Sequence, residues 1–108
     1  MRIKLFQIKD IANVDYAFRD FNPGRFDFGD YEEVWAYQFP DCFEPTDELE
    51  VCEHMFNKLN FAKAFGTDDE DYRYRGHSPS VSDIFSLNGH YYYINSFGFE
   101  KIPMICLD

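Results

Sequence analysis

Between Phe26 and Asn57 the sequence has neither lysine nor arginine. The same stretch holds ten acids: Asp27, Asp30, Glu32, Glu33, Asp41, Glu44, Asp47, Glu48, Glu50 and Glu53. It therefore carries the whole of the chain's formal charge of −10, and the remaining residues are balanced. A phosphate backbone is bound by cations that displace its counterions, so direct nucleic-acid binding is not expected of this chain. An anionic membrane surface is disfavoured for the same reason. Cysteine is scarce as well. Cys42, Cys52 and Cys106 cannot all pair within one chain, and so few thiols point to a reducing compartment. Long apolar runs are missing: nothing approaches the ~20 residues a spanning helix needs. The opening MRIKLFQIKD is charged and alternating, unlike a secretion leader, and the expected location is the cytoplasm.

What the sequence does have is rings. Aromatics make up 20% of 108 residues, with 13 Phe and 8 Tyr, so the core should be built from them. This excludes an acidic disordered tail, which would be poor in aromatics. The length suits a single domain spanning residues 1–108, long enough to bury a core without staples.

Arg2 to Ile8 alternates Arg2 and Lys4 with Ile3 and Leu5, the period of a strand. Asn22-Pro23-Gly24 marks a turn, and Tyr16, Phe18, Phe21, Phe26 and Phe28 around it are expected to fill the space between sheet and helix. Tyr31 to Phe39 is rich in β-formers. A helix should open at Pro45-Thr46, with Thr46 as cap and Asp47, Glu48 and Glu50 in the first turn, where the macrodipole favours anions. Leu49, Cys52, Met55, Phe56 and Leu59 recur at helical spacing and form its expected inner face. A second short turn is expected from Ala62 to Phe65, stopped by Gly66, before an acidic loop from Thr67 to Tyr74. Asn88-Gly89 separates Ile84–Leu87 from Tyr91–Ile94 and suits a type I′ hairpin, whose two central residues need positive φ. Gly98 marks a second bend into Phe99–Ile102, and an apolar tail, Met104 to Leu107, follows. Together these predict an α+β domain: a mainly antiparallel β-sheet with one principal α-helix on one face.

His77, Ser78, Ser80, Ser82 and Asp83 contain the residue types of a hydrolase, but they crowd into seven positions. A nucleophile, base and orienting group converge from separate elements, and no G-x-S-x-G elbow occurs. Their expected role is a loop whose Ser and Asp side chains bond nearby backbone amides, and no catalytic residue is assigned. Cys42, Cys52 and His54 contain zinc-ligand types. The two cysteines are ten apart and Cys52 and His54 leave a helix on different faces, so a buried structural Cys52 outweighs a structural zinc, and no cofactor is expected. No calcium-loop pattern is present.

The charge run has two readings. It can simply keep the chain soluble. Alternatively it imitates a phosphate track, since acids two apart on a strand lie ~7 Å apart and those at helix spacing ~5–6 Å apart. On the second reading the partner-binding residues are Asp27, Asp30, Glu32, Glu33, Glu44, Asp47, Glu48, Glu50 and Glu53, joined by Asp68, Asp69, Glu70 and Asp71. Trp35 and Tyr37, if exposed, would be the aromatic anchors.

Gly76-His77-Ser78-Pro79-Ser80-Val81-Ser82-Asp83-Ile84 followed by Tyr92-Tyr93-Ile94-Asn95-Ser96-Phe97-Gly98-Phe99 resembles the C-terminal block of the YodL-like domain family of small phage and mobile-element proteins. Leu5–Ile8, Tyr16-Ala17-Phe18, Tyr31–Trp35 and Met55–Asn60 are similar to further features of that family. Asn95 stands where the family strand carries an acid, which removes a charge. The resemblance implies no enzymatic activity. It implies a setting: a mobile element in a bacterial host, where a compact acidic protein is expected to block a host nucleic-acid-binding defence protein. The expected target is a CRISPR effector nuclease with a basic cleft, which would make the chain an anti-CRISPR DNA mimic. The alternative is an accessory or structural module of mobile elements, with no mimicry.

Overall fold

Strand β1 (Arg2–Ile8) follows its sequence alternation closely: Ile3 and Leu5 are wholly buried, whereas Arg2 is exposed and Lys4 half-buried. It belongs to a computed structural model that describes residues 2–39, 47–64 (61–64 by their backbone alone) and 77–107. The further elements are β2 (Tyr31–Gln38), α1 (Glu48–Ala64), β3 (Ile84–Leu87), β4 (His90–Ile94) and β5 (Phe99–Lys101). Among the described residues these strands form one sheet in the order β2-β1-β3-β4-β5, and every neighbouring pair is antiparallel. The α+β architecture expected from the sequence is the one present. No helix among the described residues is long and apolar enough to cross a membrane.

The hairpin between β3 and β4 turns on Asn88 and Gly89, at φ 53° and 80°. Both residues occupy the left-handed region that a two-residue primed turn demands. β3 lies in the middle of the sheet and all four of its residues are buried, so both faces of the sheet must be covered. Alternation assigns them. Ile3, Leu5, Phe85, Leu87, Tyr92 and Ile94 pack with α1, while Ile84, Tyr93 and Ile8 form a second cluster on the other face.

A bulge gives β2 more weight on the helix side. Leu5 faces Trp35 and Phe6 faces Glu33, so Val34 is the extra residue. An inserted residue breaks the alternation, and Val34 and Trp35 both enter the helix-side core. Trp35 is 3% exposed and therefore cannot be a surface anchor; Tyr37 stacks against it with ring centroids 6.2 Å apart.

Helix α1 buries Val51, Cys52, Met55 and Leu59. Leu49, assigned to this face from spacing, is instead 45% exposed. At ~100° per residue it lies about 120° round the helix from Met55, outside the stripe centred there. The cap also differs. Asp47 Oδ1 accepts a hydrogen bond from Leu49 N at 2.9 Å, whereas Thr46 lies outside the described residues. The helix continues through Ala64 without the break expected at Ala62; Phe65, Gly66 and the expected loop from Thr67 to Tyr74 lie outside the described residues.

The aromatics of 16–28 do not sit between sheet and helix. Phe21, Phe26 and Phe28 cover the opposite face with Tyr16, their rings edge-on or tilted to Tyr93 and Tyr91 at 5.1–6.1 Å. Short connections leave them little choice: Asp30 runs straight into β2, whose Tyr31 points into this second cluster. Phe18 joins neither layer and is 53% exposed. The C-terminal Met104–Leu107 turn packs Cys106 and Leu107 against this cluster and leaves Met104 and Ile105 exposed.

The position of the helix stripe is testable by urea denaturation. Met55→Ala empties a fully buried position and should cost about 2–5 kcal/mol, whereas Leu49→Ala should cost less than about 1 kcal/mol. Equal losses would mean that the stripe is centred elsewhere.

Candidate functional site

The acids singled out in the sequence divide between two faces of the molecule and two kinds of work. Asp27 and Asp30 belong to the loop layer. Asp27 Oδ1 accepts from Gly29 N at 2.9 Å, and Asp30 Oδ2 accepts from the buried Tyr16 hydroxyl at 2.8 Å. Glu32 and Glu33 follow one another on β2 and so leave it on opposite faces. Glu33 meets Lys4 at 3.4 Å, both side chains about two-fifths exposed. A pair so open to water contributes about 0–1 kcal/mol.

On the helix side, Asp47 is spent on the cap. Glu48 clamps the β3–β4 hairpin: it accepts from Tyr92 Oη and Asn88 Nδ2 and meets His90 Nδ1 at 2.7 Å. Burial raises the Glu48 carboxyl, but the bonds from Tyr92, His90 and Asn88 outweigh it and the net shift is downward. Glu50 and Glu53 are exposed. Glu44 and Asp68, Asp69, Glu70 and Asp71 lie outside the described residues, as does Asp41. The acids available to a partner on the helix side are thus Glu32, Glu50 and Glu53, apart from Asp27, Asp30 and Glu33 on the far side.

The second candidate is the corner where residues 77–83 enter β3. Asp83, 2% exposed, accepts at Oδ2 from Ser80 N and from Gln7 Nε2, each at 3.0 Å. Gln7 in turn donates to His77 O at 2.7 Å and accepts from His77 N at 3.1 Å. His77 Nδ1 stands 4.0 Å from the Asp83 carboxylate and 2.8 Å from Ser78 O. Burial pushes the Asp83 carboxyl up to about 7, against the bond from Ser80 and the nearby His77 and Gln7, which lower it. Ser80 Oγ is buried without a hydrogen-bond partner among the described residues.

Next to it, Ser82 sits at φ 80° and its hydroxyl accepts from Phe18 N at 2.9 Å; Phe18 itself has φ 62°. Tyr31 Oη donates to Ser82 O, Tyr93 Oη donates to Arg19 O at 2.7 Å, and Asn95 Oδ1 accepts from Phe21 N at 2.8 Å. The loop was expected to serve nearby amides. Asp83 does so, while Ser82 and Asn95 reach across more than sixty residues to hold the 16–21 loop on the sheet. Gln7 gives no sign of this role in the sequence, where it is one polar residue in an alternating strand.

Cys52 is fully buried, and desolvation, followed by the charges of Glu48 and Asp47, pushes its thiol up to about 12. His54, two residues on, is exposed. Among the described residues no three His, Cys, Asp or Glu side chains gather as a metal ion would need; Cys42 lies outside them.

A family model, that of the YodL-like domain, matches residues 2–104 and so takes in all five strands and α1. No curated protein and no solved structure matches the chain.

The Asp83 corner makes stability depend on pH. Its carboxyl holds a proton in the folded state up to about pH 7, whereas the unfolded chain releases it near the ordinary 3.8. The stability this group contributes is therefore full below about pH 4 and lost as pH rises through about 7. Asp83→Asn keeps an acceptor oxygen for Ser80 and Gln7 and has no proton to lose. Its stability relative to the wild type should rise across that window by at most about 1.4 kcal/mol per pH unit. Denaturant titrations at several pH values that run parallel for the two proteins would contradict the assignment.

Proposed function

The chain belongs to the YodL-like domain family, and we propose that it is a binding protein without catalytic activity that docks onto the basic nucleic-acid cleft of a host protein inside a bacterial cell. The partner of this chemistry that the reading names is a CRISPR effector nuclease. One observation carries it: Glu32, Glu50 and Glu53 are exposed within a stretch, Phe26 to Asn57, that contains no lysine or arginine to neutralise them. A field of one sign attracts a cationic channel from a distance, speeds encounter and opposes wrong partners. Occupying the channel excludes the nucleic acid, and no bond need be made or broken.

The division of the acids narrows the contact. Glu48 serves the hairpin and Asp27 and Asp30 the loop layer, so Glu50 and Glu53 on the outer surface of α1, with Glu32 exposed on β2, form the docking face. Trp35 is buried and takes no part.

The test is co-purification with a CRISPR effector nuclease at about 50 mM and about 500 mM salt, where the screening length falls severalfold. Binding should weaken at least about tenfold at the higher salt, and DNA should compete. The exposed double reversal Glu32→Lys with Glu50→Lys should abolish it while leaving the melting temperature near that of the wild type. Binding that ignores both salt and the reversal would defeat the proposal.

A further inference from the structure

Beside the acidic face of α1 lies an open groove of about 610 Å³, walled by Leu49, Glu53 and Phe56 of the helix, Ile94 of β4, Phe97 of the β4–β5 turn and Phe99 of β5. Two of its lining rings, Phe99 and Phe56, stand edge to face with centroids 6.2 Å apart. Phe97 in its lining is 98% exposed, and Leu49, contributed by the helix, is 45% exposed. The isolated chain thus leaves apolar surface in water at both positions, nearly all of the Phe97 ring and about half of Leu49.

Phe97 is exposed without being loose. Its turn is closed by Asn95 N to Gly98 O at 2.9 Å, with Gly98 at φ 90°, where a side chain would be strained. Asp20 Oδ1 accepts from Ser96 N at 2.6 Å, and Asn95 Oδ1 accepts from Phe21 N, so the first two residues of the turn are tied to the 16–21 loop. A backbone held this way has little ordering entropy left to lose when its aromatic side chain is bound. Among the described residues that line the groove, the one charged side chain is Glu53.

We propose that this groove receives a basic amphipathic segment of the partner, which lays an aliphatic or aromatic side chain between Phe97 and Leu49 and a Lys or Arg against Glu53. Charge selects this occupant. A second copy of the chain would bring its own −10 to an acidic wall and be repelled, whereas a cationic segment is drawn in. The inference rests on the basic-partner reading and adds to it the apolar contact, since electrostatic complementarity alone sets rate and selectivity more than affinity.

The experiment titrates the full chain with a synthetic amphipathic Lys/Leu peptide of about twelve residues, long enough for about three helical turns. A Lys/Ser peptide of equal charge and an uncharged Leu/Ser peptide are the controls. Amide shifts should concentrate in 49–57 and 94–99, and the Lys/Leu peptide should bind at least about tenfold more tightly than either control. Phe97→Ser and Leu49→Ser, both at exposed positions, should each remove most of that margin and leave the Lys/Ser affinity unchanged. Equal binding of the Lys/Leu and Lys/Ser peptides, or indifference to Phe97→Ser, would overturn the proposal. So would a concentration-dependent dimer that Phe97→Ser dissolves, which would assign the groove to a second copy. Loss of effector binding in the Glu32→Lys, Glu50→Lys double variant alone, with the groove variants silent, would leave the acidic reading standing and remove the groove.

Discussion

A buried carboxyl group, with His77 Nδ1 4.0 Å away, holds this fold together at one corner. Asp83 is out of water, and a buried acceptor must be satisfied or its desolvation is lost outright. Ser80 N and Gln7 Nε2 satisfy it, and Gln7 then fixes His77, so the first strand and the segment entering β3 become one unit. The adjoining backbone carries the tie onward: Ser82 N bonds Ile94 O and Ile94 N bonds Asp83 O, joining the corner to the end of β4. Ser82 Oγ and Ser82 O then take Phe18 N and Tyr31 Oη. Two non-glycine residues, Phe18 and Ser82, stay at positive φ because this network holds both. A family block that looks catalytic in its residue types is, in three dimensions, a bracket.

The bracket explains the two-sided core. A central strand buried on both faces needs a cover on each, and this chain has one substantial helix among its described residues. The second cover is irregular, made from 9–30 and the C-terminal turn, and irregular chain has no ladder of its own to keep it in place. Side-chain bonds from Ser82, Asn95, Tyr93 and Tyr31 substitute for that ladder. The aromatic content follows from the same geometry, since a few rings cover a sheet face that short loops could not cover with aliphatics.

Acidity has two sources that composition cannot separate. Asp47 caps a helix, Glu48 clamps a hairpin, and Asp20 and Asp83 anchor loops, so part of the negative charge exists to accept hydrogen bonds from the backbone and from Tyr, Asn and Gln side chains. Among the described residues Glu50, Glu53 and Glu32 hold no such bond, and Glu53 lines an apolar groove. The proposed function is confined to that second group.

Strand alternation, the Asn88-Gly89 turn, the helix and the one-sheet α+β architecture were all legible in the residues, because each is a local regularity of period or of φ. The family block was legible for the same reason. Which side of the sheet the Tyr16–Phe28 rings would cover was not, because an apolar loop is equally apolar on either face; the direction of Tyr31 at the start of β2 and the bracket at Ser82 and Asn95 decide. Leu49 read as core until the stripe's centre was set by packing on the sheet. Gln7 had no signal at all, since its partners lie seventy and more residues away. Local order is written in neighbours along the chain; the placement of layers, the burial of Asp83 and the exposure of Phe97 depend on contacts between distant segments, which only the folded chain brings together.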